Sequence, residues 1–284
     1  MTRATLFVLA LVACHKPATP TESTTVPSSS TPPPPNACGP LDCRLYPSAR
    51  DALDVALASN PVIVAFGEAH AQKGSSVPSS AKRFTGDLLP MFKGRASDLL
   101  VEAMMPPEGC EKRVADVRSA HAPVHEQQAP TDQAEYLEMG NAARALGIVP
   151  DLLRPTCDDL AAIHDAGADA LEATLETIRR LVVVQVTRLL ARPGHKTILV
   201  YGGALHNDLA PPPERAAWSY APELATKGAL VAIDLFVPEM ITDDASWKGF
   251  AWYPYFTKGA HPDEATLFHP RDATYVVLFS ETKR

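Results

Sequence analysis

Two stretches of the chain repeat one pattern, and little else constrains its fold as tightly. The first is Val62-Ile63-Val64-Ala65-Phe66-Gly67-Glu68-Ala69-His70, the second Thr197-Ile198-Leu199-Val200-Tyr201-Gly202-Gly203-Ala204-Leu205-His206. Each is an uninterrupted apolar and β-branched run that halts at glycine and places a histidine three residues past Gly67 or Gly203. Runs without polar alternation fit strands covered on both faces, as in parallel sheets, and such sheets gather their chemistry beyond the carboxyl ends of the strands. The two histidines could then face each other across one pocket.

The N-terminus reads as a leader. Arg3 is followed by the uncharged apolar run Ala4–Ala13, about half of the ~20 residues needed to span a bilayer, so residues 1–13 are expected to be a secretory signal peptide. Leu11-Val12-Ala13-Cys14 resembles a bacterial lipobox, in which Cys14 becomes the lipidated N-terminus. His15, not aspartate, follows, which favours the outer membrane. Residues 14–44 then form the expected tether, rich in proline, serine and threonine and containing Pro32–Pro35, which lacks the apolar surface to offset its ordering entropy. The expected localisation is the bacterial cell envelope, with the membrane as a partner through the lipid.

Residues 45–284, about 240 in all, are enough for a single sizeable α/β domain. The net charge of −7 comes without a basic run, which argues against nucleic acid as a partner. Four cysteines remain after Cys14, and four allow three pairings. The short spacing from Cys38 to Cys43 favours a local loop, leaving Cys110 with Cys157. An oxidising compartment and the absence of any Cys-x-x-Cys pair argue against a metal–thiolate site.

Periodicity supplies the other elements. Helices are expected from Asp51 to Ser59, from Ser79 to Phe92 until Pro90 interrupts, from Gln133 to Leu146 with Gly147 as the stop, from Ala168 to Ala191, and from Glu214 to Thr226 with a split at Pro222. The run Leu181–Val184 is apolar all round, which predicts burial along the second half of its helix. Further strands are expected at Asp98–Glu102, Ile148–Leu153, Ala229–Phe236 and Ala273–Phe279. The predicted fold is α/β, a mostly parallel central sheet flanked by helices, with an antiparallel strand at one edge.

Glu68, His70, Glu102 and His206 are the residue types of an imidazole–carboxylate site, whether for a divalent metal ion held by His70, His206 and Glu68 or for metal-free acid–base chemistry. His121-Ala-Pro-Val-His125-Glu126 is not a helical metal motif, because Pro123 breaks the register; it reads as an exposed loop. No Gly-x-Ser-x-Gly elbow, phosphate loop or dinucleotide fingerprint occurs. The aromatic run Trp252-Tyr253-Pro254-Tyr255-Phe256 reads as core edge, although a stacking wall or axial tyrosine is also what a haem site would use.

The paired Gly-x-x-His motifs, the Val101-Glu102 strand end and Arg154-Pro155 after a later strand resemble the Tiki/TraB/erythromycin esterase/ChaN superfamily, and most closely its ChaN-like haem-binding lipoproteins, over most of Val62–His206. The resemblance implies a site of Glu68, His70, Glu102, Arg154 and His206. It implies either hydrolysis of a peptide or small-molecule substrate, with a metal as in Tiki-like members or through activated water as in the esterases, or the binding of haem or iron without catalysis. Arg154 would stabilise negative charge in the transition state.

Overall fold

The computed structural model describes residues 41–71, 73–120, 129 and 132–283. Cys14, Cys38, Gln72, His121, His125 and Glu126 lie outside these, and so do the expected leader and most of the expected tether. Among the described residues no helix is long and apolar enough to cross a membrane.

Eight strands form one mixed sheet: β1 (Asp42–Tyr46), β2 (Ile63–Glu68), β3 (Ala96–Met104), β4 (Val149–Leu153), β5 (Thr197–Gly203), β6 (Leu230–Phe236), β7 (Ala265–Arg271) and β8 (Thr274–Leu278). Their spatial order is β1-β7-β8-β6-β2-β5-β3-β4. All pairs from β8 to β4 are parallel, whereas β7 runs antiparallel to β8 and β1 antiparallel to β7. An antiparallel edge was expected of the last one or two strands; β6 and β8 pair in parallel instead, and the edge is made by β7 and β1. β1 begins at Asp42, inside the segment read as tether, and β7 was missed because His269-Pro270 interrupts its apolar pattern.

The helices are α1 (Ala49–Ala56), α2 (Ser80–Arg83), α3 (Glu111–Ala120), α4 (Asp132–Ala145), α5 (Cys157–Asp165), α6 (Ala170–Leu190), α7 (Ala221–Ala225) and α8 (Ala245–Lys248). Side-chain alternation divides the sheet into two covered faces. On one, Val64, Phe66, Leu99, Val101, Leu199, Tyr201 and Ile233 pack with α1, α2 and α4. On the other, Ile63, Ala65, Leu100, Ile198, Val200 and Ala232 pack with α5, α6 and α7. Burial on both faces is why these strands read as continuous apolar runs.

Several expected helices are shorter than their patterns. The stretch Ser79–Phe92 is one turn of α-helix, then a π-type segment Phe84–Leu88 and a 3₁₀ turn Leu89–Phe92 holding Pro90. Pro90 has no N–H to continue the ladder, while the looser turns keep Phe84, Leu88, Leu89 and Phe92 buried. The expected helix at Glu214–Thr226 is a 3₁₀ turn, Pro213–Arg215, and the five-residue α7 with Pro222 in its first turn. In α6, Leu181, Val182 and Val183 are buried but Val184 is 58% exposed, so the helix lies on the sheet with one side in water and is not enclosed. Gly147 does close α4, at φ 78°. Cys110 and Cys157 form a disulfide, Cα–Cα 5.5 Å, joining the starts of α3 and α5. The other expected pairing, Cys38 with Cys43, reaches outside the described residues.

The chain crosses from β2 over β5 to β3 on the first face, and from β5 over β2 to β6 on the second. The crossovers diverge between β2 and β5, which opens a crevice at their carboxyl ends. Both anchor motifs end there.

Candidate active site

Residues in register across this crevice are Gly67, Gly202 and Asp234, and, one step on, Glu68, Gly203 and Leu235. Successive residues face opposite sides of the sheet, so Glu68 enters from the first face while Asp234 enters from the second.

On the first face Glu68, 4% exposed, is enclosed by donors. Tyr136 Oη donates to its Oε1 at 2.7 Å and Tyr201 Oη to its Oε2 at 2.6 Å. His70 Nδ1 lies 3.0 Å from Oε1, and since a carboxylate only accepts, Nδ1 carries the proton. Burial and the neighbouring Glu68 push the Tyr136 phenol well above its usual range, which keeps it a donor. The imidazole is thereby fixed with Nε2 towards Gly203, where a Cβ would stand 3.2 Å from it and 3.8 Å from His206 Cδ2. Glycine lets both rings approach.

Glu102 and His206 share the second face. Strand alternation puts Glu102 on the same face as Leu100 and Met104, beside β5. Its Oε2 accepts from Gly203 N at 2.8 Å. A Cβ on Gly202 would collide with that carboxylate and lie 2.8 Å from Glu102 Cβ. His206 follows β5 in a 3₁₀ turn; its Nδ1 donates to the Trp218 carbonyl at 2.6 Å and its ring stacks on Tyr220. Its Nε2 therefore points at Glu102 Oε1, 3.6 Å away, and among the described residues neither atom has a hydrogen-bond partner.

No known protein family, curated protein or solved structure matches the chain.

Of the five expected residues, four converge: Glu68 and His70 as one unit, Glu102 and His206 as the other. Arg154 does not join them among the described contacts. It follows β4, is 57% exposed at its side chain, and donates to Asp151, which also takes Arg188 and Gln185. The expected metal set of His70, His206 and Glu68 has suitable chemistry, yet Glu68 already accepts from the protein through both oxygens. Among the described residues no group of three or more His, Cys, Asp or Glu side chains is placed to hold an ion. The placement does not fit that metal set, and no step is built on one.

Asp234 and Tyr220 were not picked out from the sequence as site residues, and Asn207 stood out only as a neighbour of His206 that could act with it. Asp234 interrupts the apolar strand Leu230–Phe236, and a carboxylate in a run of that kind was the available signal. Desolvation raises its carboxyl from 3.8 to about 7, opposed by a hydrogen bond from Asn207 and assisted by Asp208. The aromatic run Trp252–Phe256 packs with Phe236 and Phe268 as core edge, touching Ala69 and Ala204 beside both anchor loops.

Proposed function

We propose that this protein is a hydrolase that activates water between Glu102 and His206 and cleaves an ester or amide of a small molecule or peptide. The observation that carries this reading is the buried pair Glu102 Oε1 and His206 Nε2, facing each other at 3.6 Å with no hydrogen-bond partner among the described residues. Buried polar atoms are nearly always partnered, and exceptions concentrate where a ligand or reactant completes them.

A water donating into this pair has its oxygen free to attack a carbonyl carbon. As the C–O bond forms, the water's proton passes to the pair, and the pair returns it to the leaving oxygen or nitrogen as the acyl bond breaks. The carbonyl oxygen becomes negative in the tetrahedral intermediate. His70, held through Nδ1 by Glu68, supplies the compensating donor from the other face when its Nε2 also carries a proton. Glu68 acts through His70 and not on water, since its oxygens are enclosed.

Such a site accords with the esterase-like resemblance of the two motifs. The leader supports the setting: export, a lipid at Cys14 and the bacterial outer membrane. A second reading, haem or iron held without turnover, draws on the aromatic cluster that abuts Ala69 and Ala204.

The deciding experiment screens esters and peptides with the exported chain, purified without a histidine tag and analysed for metal and for visible absorption. Hydrolysis that survives chelation and is lost in Glu102→Gln is the expected result. Stoichiometric metal whose removal abolishes turnover would transfer the mechanism to a metal ion, and a haem band without turnover would sink the hydrolase reading.

A further inference from the structure

The two sides of the crevice differ in what they lack. Around Glu68 every carboxylate oxygen has a donor. The second face holds acceptors without donors, and they extend beyond the Glu102–His206 pair.

Asn207, 2% exposed, follows His206. Its Nδ2 donates to the Ala65 carbonyl at 3.0 Å and to Asp234 Oδ1 at 3.1 Å. The Ala65 carbonyl can only accept, so the amide cannot be turned over. Asn207 Oδ1 is therefore a fixed acceptor, and among the described residues it has no partner. Tyr220 Oη is equally buried and has none among them either. It feels the charges of both Glu102 and Asp234, and these, after desolvation, hold it a neutral phenol. Asp234 is the one half-buried member and opens the group to the crevice.

Glycine makes this arrangement possible. A Cβ on Gly67 would collide with Asp234 Oδ1, as one on Gly202 would with Glu102. Gly67 and Gly202 are register partners. Two carboxylates from outer strands thus lie over two adjacent central glycines, about 5 Å apart by the spacing of neighbouring strands.

A site made of acceptors, with at most one hydroxyl donor, selects a ligand group made of donors and favours positive charge. We infer that Asp234, Asn207 Oδ1 and Tyr220 Oη form a subsite for a cationic amine of the substrate, one strand away from the water held by Glu102 and His206. The substrate class is then an ester or amide with a protonated amine close to the bond that is cleaved. This rests on the hydrolase reading for the word substrate, but the binding it describes needs no turnover.

Glycinamide and glycolamide test it, since they differ in an ammonium against a hydroxyl. Calorimetric or NMR titration of the full exported chain should show glycinamide binding at least tenfold more tightly. Asp234→Asn should remove the preference without weakening glycolamide, and Tyr220→Phe should reduce it. Because Asp234→Asn could also disturb folding, the carbon-13 titration of Asp234 in the unmodified protein is the second readout: saturating glycinamide should lower its midpoint by a unit or more. Equal binding, no binding of either compound, or an Asp234 midpoint that ignores glycinamide would each overturn the subsite. Preference for glycinamide in a protein that hydrolyses nothing would instead sink the hydrolase reading and leave the subsite standing.

Discussion

Glu102 Oε1 and His206 Nε2 face each other across 3.6 Å, each buried and, among the described residues, without a hydrogen-bond partner, while the far side of each group is fixed by a backbone bond, Gly203 N to one and the Trp218 carbonyl to the other. Both groups are held from behind and aimed at each other.

Glu102→Gln follows from this. The amide oxygen can keep the Gly203 N–H while its nitrogen donates to His206 Nε2, replacing two opposed acceptors with a hydrogen bond worth about 1 kcal/mol. Hydrolysis should fall by roughly 10²–10⁴-fold with the base gone, while the thermal midpoint stays level or rises. A clear fall in midpoint would mean that Glu102 is a structural partner of charged His206.

Both glycines are packed too tightly for a side chain. In Gly202→Ala the new methyl meets Glu102 Cβ at 2.8 Å, and in Gly67→Ala it meets Ala204 Cα at 2.8 Å. Both atoms are held by the backbone and cannot swing aside, and overpacking of this kind costs about 1–3 kcal/mol. Both variants should lose stability, and Gly202→Ala, which displaces Glu102, should lose activity as well; denaturant melts and activities of both check this.

Much of this site is legible in the sequence, for a physical reason. Strands buried on both faces must be apolar until they leave the sheet, so Gly67-Glu68 and Gly202-Gly203 announce strand ends, and His70 and His206 were placed correctly beside them. What the pattern cannot give is direction. Glu68 and Glu102 look equivalent in the sequence, yet one meets two tyrosines and an imidazole while the other faces the opposite side of the sheet and accepts from Gly203 N. Arg154 was assigned from its place after a strand, which fixes a height along the sheet and not a lateral distance. Asp234 was passed over because its strand looked like core. β1 was hidden by its length and its polar outer residues, since an edge strand needs few apolar side chains.

Arg154→Ala tests the assignment that the geometry does not support. Its guanidinium is mostly in water and shares Asp151 with Arg188 and Gln185, so removal should change stability by less than about 1 kcal/mol and leave turnover as it was. A large loss of turnover at constant stability would return Arg154 to the site.

The Cys110–Cys157 bond spans 47 residues and ties the start of α3 to that of α5. A loop of that length, opened in the unfolded chain, corresponds to about 2–4 kcal/mol of stability. The double variant Cys110→Ala/Cys157→Ala should lose that amount in denaturant unfolding under oxidising conditions. The unmodified protein should lose it on full reduction, and reductant should then no longer separate the two proteins.

Asp234 makes stability depend on pH in an unusual direction. Its folded carboxyl titrates near 7, raised by desolvation from 3.8, so between those values the folded protein holds a proton that the unfolded chain has released. Stability from this group is complete below pH 4, declines as pH rises, and is lost above about 7, the reverse of a salt-bridged aspartate. Asp234→Asn removes the titration, so relative to the unmodified protein the variant should gain stability as pH goes from 4 to 8. Unfolding midpoints of both proteins across that range measure the difference directly. A flat difference would show that the carboxylate is ionised throughout, compensated by a group other than Asn207.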